Sequence, residues 1–185
     1  MSEEAARLTS GGRSSHALVL TLVVAATTLG IDQLTKAWAV DALDDRDIDL
    51  FWTLRFNLTH NSGMAFSRGE GMGPIISVLA MAVVVWLVLS MRSHGSRLSA
   101  VAAGMVVGGA VGNVADRLFR SSDGFLHGSV VDFIDVQWWP IFNVADIGVV
   151  VGGIALAASS LFQTAHHPNE KTSSDEHTPM TGAQQ

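Results

Sequence analysis

The stretch VVDFIDVQWWPIFNVAD, residues 130 to 146, sets Asp132, Asp135 and Asp146 among Val, Phe, Ile and Trp. An ionised carboxylate beside so much apolar surface is costly unless it is paired, solvated or put to use. Other polar groups recur in equally apolar surroundings: Asp32 with Lys36, Asn113 with Asp116 and Arg117, and Asn143. Two carboxyls sharing a low-dielectric site repel one another's charge, so one stays protonated while the other is ionised. Such a pair can perform acid–base chemistry on a carbonyl. The ionised member takes a proton from water as the water attacks, and the protonated member donates to the oxygen or to a leaving amine. His60 and His127 are isolated and no zinc-site spacing occurs, so no metal or other cofactor is expected. The sequence has no Cys, which excludes a cysteine nucleophile, and none of its Ser residues sits in a nucleophile elbow.

The surrounding composition says what must position these groups. Of 185 residues, 48% are hydrophobic and 15% charged, with a mean hydropathy of +0.34. The charged share falls well below the roughly 25% of a soluble domain. A net charge of −6, with no basic patch, argues against nucleic acid as a partner. Four apolar runs reach the ~18–20 residues that cross a bilayer: 16–40, 71–91, 97–119 and 142–162. Arg7 and Arg13 before the first run also suit a cleaved signal peptide, but the three later runs favour an uncleaved first span. The third run is rich in Gly and Ala, as close helix packing requires.

The expected fold is therefore an all-α membrane protein of four transmembrane helices. The alternating segment LRFNLTHN, residues 54–61, predicts a small extracytoplasmic β element between helices one and two. Residues 1–15 read as a cytoplasmic N-terminal tail, 16–162 as the membrane domain and 163–185 as a polar, disordered cytoplasmic tail. Arg7 and Arg13 before span one, and Arg92 and Arg97 between spans two and three, place both termini in the cytoplasm. On that topology, every polar group named above falls at the outer end of its span or in an outer loop. Convergence at one membrane face is the pattern of an intramembrane site.

Each residue also has a plainer reading. Asp32 and Lys36 suit a helical i,i+4 pair. Asp116 and Arg117 suit an interfacial cap that snorkels to water. Asn143 suits an N-cap of span four, with Asp146 at the third helical position. Trp138 and Trp139 suit a headgroup-level aromatic belt, with Pro140 preventing helix before Phe142.

Five motifs in order resemble the lipoprotein signal peptidase (signal peptidase II) family: DQLTK at 32–36, NSGMAF at 61–66, GGAVGNVADR at 108–117, VVDF at 130–133 and FNVAD at 142–146. Met64 stands where the family commonly has Ala, and Val149 where Ile is usual. The resemblance implies a four-helix aspartyl endopeptidase of the bacterial plasma (inner) membrane. It would cut prolipoproteins just before a diacylglyceryl-modified cysteine, and its partners would be that substrate, membrane lipid and globomycin-type inhibitors. By motif, the catalytic pair would be Asp132 and Asp146, with Asp32, Asn61, Asn113, Arg117 and Asn143 supporting the pair or binding substrate. Asp135 falls outside the motifs and reads as a solvated loop charge. A small transporter or proton-relay subunit is the rival class, and a non-enzymatic scaffold another. A transporter needs polar groups through the midplane, whereas these stop in the outer half.

Overall fold

The computed structural model describes residues 2–63, 72–91, 96–120 and 124–165, and side chains within 15–161. Residues 64–66 of the NSGMAF motif, Arg68, Glu70, Arg92 and the chain from 166 onward lie outside the described residues. Among the described residues, four helices run α1 (Ser2–Ala42), α2 (Gly73–Ser90), α3 (Arg97–Phe119) and α4 (Val144–Ala165). The stretches long and apolar enough to cross a membrane are Ser15–Ala42, Gly73–Ser90, Arg97–Phe119 and Val144–Leu161. These match the expected spans to within a few residues, while α1 itself continues back to Ser2. Leu34, Val78, Leu79, Trp86, Ile154 and Leu161 are strongly exposed on the helix surfaces. So continuous an apolar exterior suits lipid as the solvent, because water would leave it uncovered.

Helix α3 is the central member, far more buried than the other three and packed against all of them. Its glycines explain how. A Cβ on Gly108 would strike the Ala25 carbonyl oxygen of α1, and one on Gly109 the Ala145 carbonyl oxygen of α4. On α4, a Cβ at Gly152 would lie 2.6 Å from the Ala102 carbonyl oxygen. In lipid no hydrophobic force draws helices together, so close backbone approach and interhelical hydrogen bonds do that work. At the end remote from the strands, the Thr21 hydroxyl donates to the Ala100 carbonyl at 3.1 Å and the Ser99 and Ser159 hydroxyls meet at 2.8 Å.

At the other end lies a three-stranded antiparallel sheet, β1 (Ile48–Phe51), β2 (Leu54–Asn61) and β3 (Val130–Asp135), in that order. The element expected at 54–61 is β2, residue for residue. The sheet is larger than expected, however, and VVDFID is not a loop but its third strand, supplied from between α3 and α4. Its apolar residues do not alternate with polar ones because it is buried almost throughout. Val131 and Phe133 pack on Ala39 and Leu43 at the end of α1. Trp38, Phe56 and Phe133 add edge-to-face and tilted ring contacts, with centroids 5.2 to 6.1 Å apart.

Asp135 is not a solvated loop charge. It is 4% exposed, and Arg55 Nε on β2 donates to its Oδ2 at 2.7 Å. That bond holds the Arg55 guanidinium above its usual pKa. The other Asp135 oxygen accepts the Gln137 backbone N–H at 2.6 Å, closing an Asx-type turn in which Gln137 takes φ 67°. The chain then reverses past Trp138 and Trp139, both exposed, and Phe142 returns to bridge Ile134. This closed turn sets Asn143 beside Asp132.

Candidate active site

Asn143 joins the two aspartates of the opening stretch. Its side-chain Nδ2 donates to Asp132 Oδ1 at 2.6 Å. Its backbone N–H donates to Asp146 Oδ2 at 3.1 Å, while its own Oδ1 accepts the Asp146 N–H at 3.0 Å. The last two bonds form a reciprocal capping box at the start of α4. The capping reading of Asn143 and Asp146 thus holds, and it holds the Asp146 carboxyl in the cluster at the same time.

Four further residues brace the pair. Asn61 at the end of β2 donates through Nδ2 to Asp132 Oδ2 at 3.0 Å. Asn113 on α3 donates through Nδ2 to Asp146 Oδ1 at 2.9 Å, and its Oδ1 accepts Asn143 Nδ2 at 3.1 Å. Asp32 on α1 accepts the Ala145 N–H at 2.9 Å, satisfying an orphan donor of α4's first turn from a neighbouring helix. Gly112 makes room for this, since a Cβ there would sit 2.5 Å from Asp32 Oδ2. Arg117 is buried against Gly73 at the start of α2; its Nε has no hydrogen-bond partner among the described residues and lies in the field of Asp132, Asp116 and Asp146. All seven residues singled out in the sequence therefore meet at one end of the bundle, beneath the sheet.

The two carboxyls differ in setting. Asp132 is 2% exposed, and burial pushes its pKa up to about 6. The Asn61 and Asn143 hydrogen bonds pull it down, and the charge of Asp146 pushes it up. Asp146 is half-buried and opens on an apolar groove of about 490 Å³ lined by Val136, Trp138, Trp139, Phe142, Ile147 and Val150.

One set of partners was not legible in advance. Asp116 and Arg117 do not form an interfacial cap that snorkels to water; both are buried and they diverge, as successive helical residues must. Asp116 pairs instead with Lys36 at 2.9 Å and Arg120 at 2.9 Å, and accepts the Val131 N–H of β3 at 3.2 Å. Lys36 also meets Asp32 at 2.9 Å, as its i,i+4 spacing predicts. The available signal was charge balance: a buried lysine facing two carboxylates from different helices satisfies a cost that one partner leaves open.

A sequence profile described as signal peptidase (SPase) II matches residues 24–162. The chain belongs to the signal peptidase II family. A lipoprotein signal peptidase of Mycobacterium avium is 43% identical over 152 residues, covering 81% of this chain and 83% of that relative. One from Mycolicibacterium smegmatis is 42% identical over 155 residues, covering 83% of this chain and 66% of that relative. A solved bacterial membrane enzyme, 23% identical, superposes with a TM-score of 0.68 over 83% of this chain and 94% of its own. Another, 25% identical, gives 0.63 over 76% and 92%. As a signal peptidase II family member with four apolar helices, the chain is a multi-pass membrane peptidase. The matched region includes most of the first span, the other three spans, the three strands and every residue of the cluster above.

Proposed function

We propose that this chain is an aspartic endopeptidase that removes signal peptides from prolipoproteins, cutting just before a diacylglyceryl-modified cysteine at the outer face of the bacterial plasma membrane. Both termini then face the cytoplasm, and the sheet lies on the outer surface. The carrying observation is Asn143, one residue hydrogen-bonded to both Asp132 and Asp146. The relatives named lipoprotein signal peptidase support the substrate class. The apolar groove beside Asp146 suits a substrate whose lipid and signal helix remain in the bilayer. Among the described residues, the buried ionisable side chains gather at one end of the bundle, which disfavours an ion path.

In this mechanism Asp132, the more buried carboxyl, holds the proton. Asp146, open to the groove, is the base. Asp146 takes a proton from water as the water oxygen bonds to the scissile carbonyl carbon, and Asp132 protonates the carbonyl oxygen. Collapse of the gem-diol intermediate breaks the C–N bond, the proton held on Asp146 passes to the leaving amine, and a hydroxyl proton of the gem-diol returns to Asp132 as the carboxyl product forms. Arg117, whose buried Nε has no partner among the described residues, holds positive charge near both carboxyls. A cyclic peptide of the globomycin type would compete for the groove and the dyad.

Purified protein in lipid vesicles is expected to cleave a diacylglyceryl-modified prolipoprotein and to leave its unmodified form intact. Equal cleavage of both, or of neither, overturns the reading. The pH dependence is a second check. Protonated Asp132 is lost as pH rises through about 6, so kcat/KM should fall on the basic side near there. The corresponding limb of kcat should lie at higher pH, because bound substrate displaces water and disfavours the charged form further.

A further inference from the structure

The buried Lys36 has a definite use. Its ammonium carries three N–H donors, and three acceptors surround it: Asp32 Oδ2 at 2.9 Å, Asp116 Oδ2 at 2.9 Å and Asn113 Oδ1 at 2.8 Å. The first two neutralise charge. The third bond goes to a neutral amide and so needs another explanation. An Asn side chain presents an acceptor on one side and a donor on the other, and rotation about its last bond exchanges them. With Oδ1 held by Lys36 and by Asn143 Nδ2, the Nδ2 of Asn113 must face Asp146 Oδ1, where it donates at 2.9 Å. Reversal would set the Asn113 oxygen against the Asp146 oxygen and the amide nitrogen against the ammonium, a double mismatch.

We infer that Lys36 is a positioning residue for the proposed reaction: its buried ammonium locks the Asn113 amide in the one orientation that donates to Asp146. This rests on the dyad reading of Asp132 and Asp146. Lys36 touches neither carboxyl of the dyad in the hydrogen-bond pattern; it acts through one intervening side chain. The aspartates around it serve the lock as well. Asp32 ties Lys36 to the first turn of α4 through the Ala145 N–H, and Asp116 ties it to β3 through the Val131 N–H. The ammonium is thus fixed relative to both elements that carry the dyad.

Removing Lys36 alone leaves the buried Asp32 without an ion partner among the described residues, whereas Asp116 keeps Arg120. The test therefore uses Lys36→Met combined with Asp32→Asn, which removes opposite charges together and leaves an amide oxygen to accept the Ala145 N–H. The double variant is expected to lower kcat about 100-fold, the scale of a small misplacement at a reacting group, with KM within about threefold. Asn113→Ala should cost a similar factor. Because Lys36 acts through Asn113, the triple variant should lose no more than Asn113→Ala alone. Wild-type kcat in the double variant, or a triple variant showing the product of the two losses, overturns the inference. The unmutated protein provides a readout that needs no variant to fold or turn over, apart from Asn113→Ala for assignment. Labelled at Asn side-chain nitrogen, it should show one exchange-protected pair of Nδ2 protons for Asn113, and averaging between two orientations overturns the lock. If wild type fails to cleave lipidated substrate, the dyad reading falls while the amide resonance still reports on Lys36.

Discussion

Asp146→Asn and Asp132→Asn are each expected to lower kcat/KM for a lipidated prolipoprotein by on the order of 10,000-fold or more, with opposite effects on stability. At position 146 an amide can neither accept a proton from water nor accept both the Asn113 Nδ2 and Asn143 N–H bonds. The cap of α4 should therefore weaken by about 1 kcal/mol. At position 132 the reverse holds. A carboxyl whose pKa rises on folding from 3.8 to about 6 binds its proton more tightly when folded. Stability is thus lost as pH rises through that window, up to about 3 kcal/mol at neutral pH at 1.36 kcal/mol per unit. Asp132→Asn removes that cost while giving up one acceptor for Asn61. It should melt no lower than wild type at pH 7 and be inactive all the same. Thermal melting beside single-turnover cleavage reads both quantities. An Asp132→Asn protein with wild-type turnover removes the dyad from consideration.

Gly109→Ala should act through geometry instead of chemistry. Its new Cβ would overlap the Ala145 carbonyl oxygen and sit 3.1 Å from the Ala145 carbonyl carbon and 3.0 Å from Val149 Cγ2. A backbone carbonyl cannot rotate aside, so α4 must move away from α3. Ala145 immediately precedes Asp146, and Asn113 lies on α3 close by; the shift therefore stretches the bond from Asn113 to Asp146. Overpacking of this kind costs about 1–3 kcal/mol, and a displacement approaching 1 Å at a reacting group costs about 100-fold in rate. Gly153→Ala, on α4, is the matched control. Nothing lies within 4 Å of its Cβ position, so it should gain about 0.5–1 kcal/mol of helix stability and leave turnover unchanged. If Gly109→Ala retains wild-type turnover and melting, the close α3–α4 approach does not position the site.

The four spans were legible because bilayer thickness translates directly into a count of apolar residues. The third span, 97–119, coincides with α3, and β2 coincides with the alternating segment at 54–61. What escaped was long-range pairing. VVDFID shows neither helical nor strand periodicity because it is covered on both sides, and its partner β2 is distant in the chain. Asp135 looked solvated because nothing local reveals that Arg55 lies across the strand from it. Asp116 looked like the neighbour of Arg117, yet adjacent helical residues point about 100° apart. Its partner Lys36 had been matched to Asp32 alone. Asn143 and Asp146 were legible as a cap from spacing, and their placement beside Asp132 depends on the turn that Asp135 closes.

The Lys36 network also bears on how the chain enters the membrane. On insertion scales a lone Asp or Lys near a helix centre costs about 2.5–3.5 kcal/mol. Helix α1 carries Asp32 and Lys36 one turn apart and so arrives with its charges already matched. Helix α3 brings Asp116 with one oxygen met by Arg120 at its own C-terminal end, while the other, fully buried, is met by Lys36 only once α1 stands alongside. Partitioning of α3 into the bilayer is thereby coupled to its assembly with a helix synthesised much earlier. In a translocon assay α3 should integrate less efficiently by itself than when α1 is present, and Asp116→Asn should narrow the difference. The ions that position the site would then also set the order in which the protein is built.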